Sequence, residues 1–330
     1  MTAPNATPPA IAPGKPVVTA LATITIACPD PAEFEELFGS VLGWQPTARG
    51  RIDATLERLW GIGPGSAGGA FSIWQSGNVT RGRVRLLHGS ERTRVRPLTP
   101  RWAGIEMIVS HDIDGLYQRL AAIPWLTTLQ EPVTMDWSEF GSNQHRACIF
   151  RGPGGTHLAF TMGLTRPVGR EFPATQAWAG HVFELPLVTA DFAAARAFYG
   201  GLLGMQPILS SAFDRGLWHQ IWKLPEPTPV RLDILKGDAP GTGLGGLELT
   251  GYPAGVIDVL PAAADRFDAG TCLVTLTSER IAEVFERVSR DPRARCLARP
   301  RRIDAGGYEG RQAFCFIGPA AERVEILSSS

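Results

Sequence analysis

Residues 183–205 read FELPLVTADFAAARAFYGGLLGM. The opening residues alternate as a strand does, and Asp191 then offers an N-cap for a helix. Phe192, Ala195, Phe198, Tyr199 and Leu202 recur at helical spacing, and Gly204 stops the run. An earlier stretch has the same grammar. Asp30-Pro31-Ala32-Glu33 opens it, and Leu37-Phe38-Gly39-Ser40-Val41-Leu42-Gly43-Trp44 closes it. The two stretches lie 161 residues apart (30 to 191, 43 to 204). A second echo pairs Phe150-Arg151-Gly152-Pro153 with Phe316-Ile317-Gly318-Pro319, 166 residues apart (150 to 316). Self-similarity on this scale implies duplicated architecture, and corresponding positions of the two halves become comparable.

Outward from these anchors, a strand–helix–strands unit recurs four times. The first has a strand at 21–28, a helix from Asp30 to Gly43 and strands at 55–60, 70–75 and 84–88. The second has a strand at 105–109, a helix at 112–121 and a closing hairpin at 147–151 and 156–161. The third has a strand at 182–188, a helix at 191–203 and strands at 217–223 and 230–235. The fourth has a strand at 271–276, a helix at 279–288 and closing strands at 313–317 and 323–327. Pro/Gly-rich stretches at 89–101, 163–177 and 238–265 read as links between units. Residues 1–17 carry five prolines and no hydrophobic signal core, which reads as a disordered tail.

Composition narrows the class. The 330 residues suit about two domains. Thirty-two basic and 32 acidic residues balance, so no global field draws nucleic acid or an anionic membrane. Apolar runs are too short to span a bilayer. Five cysteines without close paired spacing read as reduced thiols. The expectation is a soluble, cytoplasmic protein, a monomer or homodimer, working on a small molecule.

Four βαβββ units, a helix ending Phe198-Tyr199-Gly200-Gly201-Leu202-Leu203-Gly204, and last hairpins carrying Gly152-Pro153 and Gly318-Pro319 resemble the glyoxalase, or vicinal-oxygen-chelate, superfamily. The resemblance spans nearly all of residues 20–328. It implies an α+β fold in which tandem βαβββ modules form two open-barrel glyoxalase-like domains, here 18–165 and 175–330. It also implies metal ligands on the first and last strand of each unit, facing a cavity. Family members pair their units either consecutively or first with fourth and second with third.

Carried onto this chain, the resemblance places Glu184 in the first-strand slot, seven residues before Asp191. It places Asp233 in the slot of the family's I-E-L segment, and Glu325 in that of the closing motif Gly318-Pro319-Ala320-Ala321-Glu322-Arg323-Val324-Glu325-Ile326. The corresponding N-terminal positions are Thr23, Arg85 and Ala159, which suggests a working cavity built mainly by the C-terminal half. With crosswise pairing, Glu184 and Asp233 would instead meet Glu106 and His157, and Glu325 would face Thr23 and Arg85. Oxygen-only ligands favour Mg²⁺, Mn²⁺ or Ca²⁺ over zinc or iron. Without metal, the same acids need hydrogen-bond partners or protons.

Trp218-His219-Gln220-Ile221-Trp222 suggests a cavity strand, with His219 as acid/base beside Glu184 and with Trp218 and Trp222, together with Glu106 and His157, lining the substrate pocket. Three functions stay open. One is a metal-dependent lyase or isomerase acting through an enolate-like intermediate. The second is a metal-free protein that sequesters a hydrophobic compound. The third is an extradiol dioxygenase, for which two histidines beside one carboxylate are wanting.

Overall fold

The computed structural model describes residues 16–63, 69–88, 101–136, 144–165, 175–237, 246–257, 267 and 269–329. The first unit comprises β1 (Leu21–Cys28), α1 (Pro31–Glu36), β2 (Gln45–Arg51), α2 (Ala54–Trp60), β3 (Ala70–Gln75) and β4 (Arg83–His88). A short β5 (Arg101–Trp102) precedes the second: β6 (Gly104–Ile108), α3 (Ile113–Ala121), β7 (Thr127–Asp136), β8 (Gln144–Arg151) and β9 (His157–Gly163). The third holds β10 (Val182–Thr189), α4 (Phe192–Arg196), β11 (Gln206–Phe213), α5 (Leu217–Trp222), β12 (Val230–Lys236) and β13 (Gly246–Gly251). The fourth holds β14 (Gly270–Ser278), α6 (Ile281–Arg290), β15 (Arg295–Cys296), β16 (Arg301–Arg302), β17 (Gln312–Ile317) and β18 (Arg323–Ser328).

The units pair crosswise. One sheet runs β15-β17-β18-β14-β1-β4-β3-β2 and the other β11-β12-β13-β10-β6-β9-β8-β7. Unit one therefore shares a sheet with unit four, and unit two with unit three. Of the two arrangements the sequence left open this is the second, and each sheet draws on both 18–165 and 175–330. Within every unit the first strand lies parallel to the last: β1 on β4, β6 on β9, β10 on β13 and β14 on β18. The units meet through antiparallel junctions, β1 with β14 and β10 with β6.

One continuous core joins the helix-bearing faces of both sheets. Phe34, Phe38, Leu116, Phe198 and Val284 belong to it, one or two from each unit's helix. Burial of each such side chain contributes about 1.5–3 kcal/mol. Polar stitches cross between the sheets: Trp44 Nε1 donates to the Ala179 carbonyl at 2.7 Å and Trp102 Nε1 to the Arg323 carbonyl at 2.8 Å. All five cysteines are unpaired. Among the described residues no helix is long and apolar enough to cross a membrane.

The repeated helices have a feature the sequence pattern hid. Asp30 and Asp191 cap them as expected, accepting from Ala32 N and Ala194 N at 2.9 Å. Each then widens into a π-turn, Leu37–Val41 and Ala197–Leu202. Trp44 N reaches the Phe38 carbonyl at 2.7 Å, and Met205 N the Tyr199 carbonyl at 3.0 Å. Gly43 and Gly204 take left-handed φ values of 80° and 71° to make that exit.

Two expected strands, 55–60 and 217–223, are helices α2 and α5. Asp53 caps α2 by accepting from Thr55 N and Leu56 N, both at 2.9 Å. Leu56, Leu59 and Trp60 then share one helical face, as do Trp218, Ile221 and Trp222 in α5. The short runs fit either period; in α2 the Asp53 cap favours the helix, whereas α5 follows Gly216 without a side-chain cap. A third expectation also fails: 246–251, inside the presumed link 238–265, is the fully buried strand β13. Of the proline-rich tail, residues 1–15 lie outside the described residues, whereas Val17 is packed in the core and its amide donates to the Leu203 carbonyl at 3.0 Å.

A methyl group on Gly43 would meet only Ala177, at 3.8 Å, an ordinary contact. Gly43→Ala is therefore expected to cost only the left-handed backbone penalty, about 1–2 kcal/mol, measurable by urea denaturation.

Candidate functional site

The junction of units two and three builds the site. In the antiparallel register of β10 and β6, Glu184 lies opposite Glu106. β13, parallel to β10, sets Glu248 beside Pro186, two residues along from Glu184 on the same strand face. One carboxylate oxygen from each of Glu106, Glu184 and Glu248 falls within 4.8 Å of the others. Glu184 and Glu248 are 8% and 6% exposed. The Thr250 hydroxyl donates to Glu248 at 3.0 Å, and the Thr161 hydroxyl to Glu106.

Electrostatics sets the chemistry of this trio. Burial raises all three carboxyls above the ordinary range. The neighbouring carboxylates Glu106 and Glu248 push Glu184 further, and Glu248 pushes Glu106. Three acids sharing one buried volume cannot all hold charge there without a cation or shared protons.

The trio opens into a cavity of about 130 Å³. Ile105, Phe183, Leu232, Ile234, Trp218 and Trp222 form much of its wall, with His145 and His157 also on its lining. The His157 ring packs on the Trp222 indole with centroids 4.6 Å apart.

The junction of units one and four repeats the same register with other residues. Thr23 faces Thr275, where the second junction has Glu184 facing Glu106. Glu325 lies beside Thr275, where Ala159 lies beside Glu106. Arg85 lies beside Thr25, where Glu248 lies beside Pro186. Four equivalent slots thus hold Thr23, Arg85, Thr275 and Glu325 in one sheet, and Glu184, Glu248, Glu106 and Ala159 in the other.

The first set closes on itself. Arg85 Nη1 lies 4.0 Å from Glu325 and 3.3 Å from the Thr25 hydroxyl. Its guanidinium sits over the Trp60 and Tyr308 rings, each at 5.2 Å. Glu325 also accepts from Trp60 Nε1 at 3.0 Å, Tyr308 Oη at 2.6 Å and Thr275 Oγ1 at 2.7 Å. Around this pair lies the second core, with Leu56, Phe71 and Leu273. In this sheet a built-in cation meets the acid.

The residues singled out from sequence therefore part company. Glu184, Glu106, His157, Trp218 and Trp222 all line the one cavity, which units two and three share; it is not a product of the C-terminal half alone. Asp233 and Glu325 do not join Glu184. Asp233 lies on β12, an inner strand and not the last of its unit, and is ion-paired with Arg196. Glu325 belongs to the other sheet. His219 sits on helix α5, not on a strand, and does not line the cavity; its Nε2 lies 2.7 Å from the Thr228 carbonyl and ties α5 to the following loop. Glu248 went unread because its strand lies in a glycine-rich stretch. Leu247-Glu248-Leu249, one acid between leucines, was the available signal.

No protein-family model matches the sequence, and no curated protein matches it. Solved structures do match in shape. Glyoxalase I from Zea mays aligns with a TM-score of 0.61 at 13% identity, over 94% of this chain and 92% of that one. A mutant of the same maize enzyme gives 0.64 at 14% identity, with the same coverage. A candidate dioxygenase from Bacillus subtilis gives 0.63 at 12% identity, over 96% of this chain and 86% of that one. The chain has the glyoxalase, or vicinal-oxygen-chelate, fold.

Arg85→Ala would leave Glu325 buried without its cation, at an expected cost of about 3–5 kcal/mol. Arg85→Met combined with Glu325→Gln should recover much of that loss, and a double-mutant cycle by thermal denaturation checks it.

Proposed function

We propose that this chain is a vicinal-oxygen-chelate enzyme, a lyase or isomerase, that holds one divalent cation on Glu106, Glu184 and Glu248 and acts on an oxygen-bearing small molecule. The observation that carries the reading is the convergence of three buried carboxylates on an apolar cavity whose described lining includes no lysine or arginine. Carboxylate oxygens are hard donors, which suits Mg²⁺, Mn²⁺ or Ca²⁺. Such a cation would supply Lewis acidity, polarising a substrate oxygen and favouring enolate-like charge on the carbon skeleton.

The chain's own residues do the rest. Thr161 and Thr250 orient the carboxyls of Glu106 and Glu248 through their hydroxyls. The carboxylates reach the cavity and are placed to take and return a substrate proton, which His219, outside the cavity, is not. Apolar walls keep bulk water from the reacting centre. The sequestration reading draws on the same Trp218 and Trp222 walls, and metal content separates the two. The converging ligand atoms are all carboxylate oxygens and neither His145 nor His157 joins them, so the dioxygenase pattern of two histidines and one carboxylate is not assembled among the described residues.

Titration with Mn²⁺, followed by electron paramagnetic resonance, is expected to give one bound ion per chain. Glu184→Gln or Glu248→Gln should weaken that binding at least tenfold, and Glu325→Gln should leave it unchanged. No stoichiometric binding by the unaltered protein sinks the metal reading.

Stability should carry the same signature. The three carboxyls have folded-state pKa values raised above their unfolded values, so their contribution is fully present below the ordinary carboxylate range. It is lost as pH rises from that range towards neutrality and beyond, through the raised values. Metal-free protein should thus melt at lower temperature as pH climbs. Saturating Mn²⁺ should flatten or reverse that slope, and Glu184→Gln should flatten it without metal.

A further inference from the structure

The two tryptophans that end the short helices, Trp60 in α2 and Trp222 in α5, occupy equivalent places. Each is followed by a residue in the left-handed conformation, Gly61 at φ 61° and Lys223 at φ 53°. In the closed half, Trp60 Nε1 is satisfied by the Glu325 carboxylate at 3.0 Å and the Tyr308 hydroxyl at 3.1 Å. In the open half, the slot equivalent to Glu325 is Ala159, which offers no acceptor. Trp222 Nε1 is buried there without a hydrogen-bond partner, and so is Nε2 of the stacked His157. His157 is 5% exposed, and both residues line the cavity with Ala159.

Unpaired buried polar nitrogens are unfavourable by roughly 1–3 kcal/mol each, and here two stand on packed rings whose centroids are 4.6 Å apart, so one acceptor entering the cavity could relieve both. Burial, with the Arg151 charge adding to it, pushes His157 down to about 4, so its ring is neutral and offers no charge to an anion. His157 stands two residues from Ala159 along β9, about 7 Å from the rung that carries Glu106. The cavity of about 130 Å³ is near the size of the engineered apolar cavity of about 150 Å³ that takes up benzene.

We propose that the space left by Ala159 receives a hydrogen-bond-accepting oxygen of the substrate, held by Trp222 Nε1 and His157 Nε2, so that the site selects neutral, single-ring-sized molecules bearing such an acceptor in addition to the adjacent oxygens they present to the glutamate end. The ligand oxygen stands where the Glu325 carboxylate stands in the closed half. This assignment rests on the metal-site reading for the orientation of the ligand, and on the two unpaired nitrogens for its chemistry.

The test compares 4-acetylcatechol with 4-ethylcatechol, alike in shape and differing in one carbonyl acceptor. Binding is measured by calorimetry with and without Mn²⁺, at a mildly acidic pH where both are neutral. The acetyl compound is expected to bind about tenfold tighter, the worth of one well-made hydrogen bond to a buried donor. Trp222→Phe, which keeps an aromatic ring and removes the donor, should bring the ratio close to one. His157→Phe should reduce it, and melting curves check that both variants fold. Ala159→Gln, which refills the slot, should block both probes while Mn²⁺ binding persists. Equal binding of the probes, no binding of either, or a preference that survives Trp222→Phe overturns the assignment. Mn²⁺ counted without probes tests the metal reading separately. A preference retained in protein that binds no Mn²⁺ supports the acceptor site and strikes only the metal.

Discussion

The antiparallel contact between β6 and β10 is the constraint on which the site depends. Strand pairing at this junction puts Glu106 opposite Glu184, and side chains directly opposite in such a pair stand within roughly 5 Å of each other. Like charges in that position oppose the pairing. The sheet nevertheless closes there, because each strand is also clamped on its far side by a parallel partner, β9 on β6 and β13 on β10. A register slip of one residue would turn the acids towards the helix-packed core and the leucines towards the cavity, so burial on the helix face holds the unfavourable contact in place. Packing on one face of the sheet thus supports electrostatic tension on the other.

The same backbone solves the charge problem in two ways. At the β1–β14 junction the four slots carry Thr23, Arg85, Thr275 and Glu325, and the single acid meets a guanidinium stacked on aromatic rings. At the β6–β10 junction they carry Glu184, Glu248, Glu106 and Ala159, with no internal cation. A buried ion pair whose acid is well hydrogen-bonded is tolerated without outside help, whereas three clustered carboxyls are not. The closed half can therefore be finished at folding, with Trp60 and Tyr308 completing the coordination of Glu325. The open half is finished only when protons or a cation arrive.

Much of the fold was legible because helix caps, apolar periodicity and the offset of 161 residues are local or repeated signals. Asp30, Asp191 and the glycines that close their helices announced the units without tertiary context. The misreadings at α2 and α5 have one cause. A helix of six or seven residues shows only about three apolar residues on its buried face, and Trp218-His219-Gln220-Ile221-Trp222 satisfies a strand period nearly as well as a helical one. That error moved His219 onto a cavity wall. The site was legible in part: Glu184 stands seven residues before the capping Asp191, whereas the same count from Asp112 lands on Ile105, one residue short of Glu106. Glu248 stands on a strand entered from a stretch of glycines, where counting fails. Its sheet partners β10 and β12 fix its place.

Which units pair was the deciding unknown, and no local signal carries it. Both arrangements bury the same helices and use the same strand sequences. What separates them is which first strands lie edge to edge. Consecutive pairing would set Thr23 against Glu106 and Glu184 against Thr275. Arg85 would then share its sheet with Glu106, and Glu325 would join Glu184 and Glu248, so either arrangement gives one acid with a guanidinium and three acids without. Charge count alone therefore does not choose between them. The fit around the paired acid is what the observed topology adds: Glu325, of unit four, accepts from Trp60 of unit one as well as from Tyr308 and Thr275 of its own unit. A buried carboxylate near a guanidinium is tolerated when its remaining hydrogen bonds are made, and in this sheet residues of both units make them.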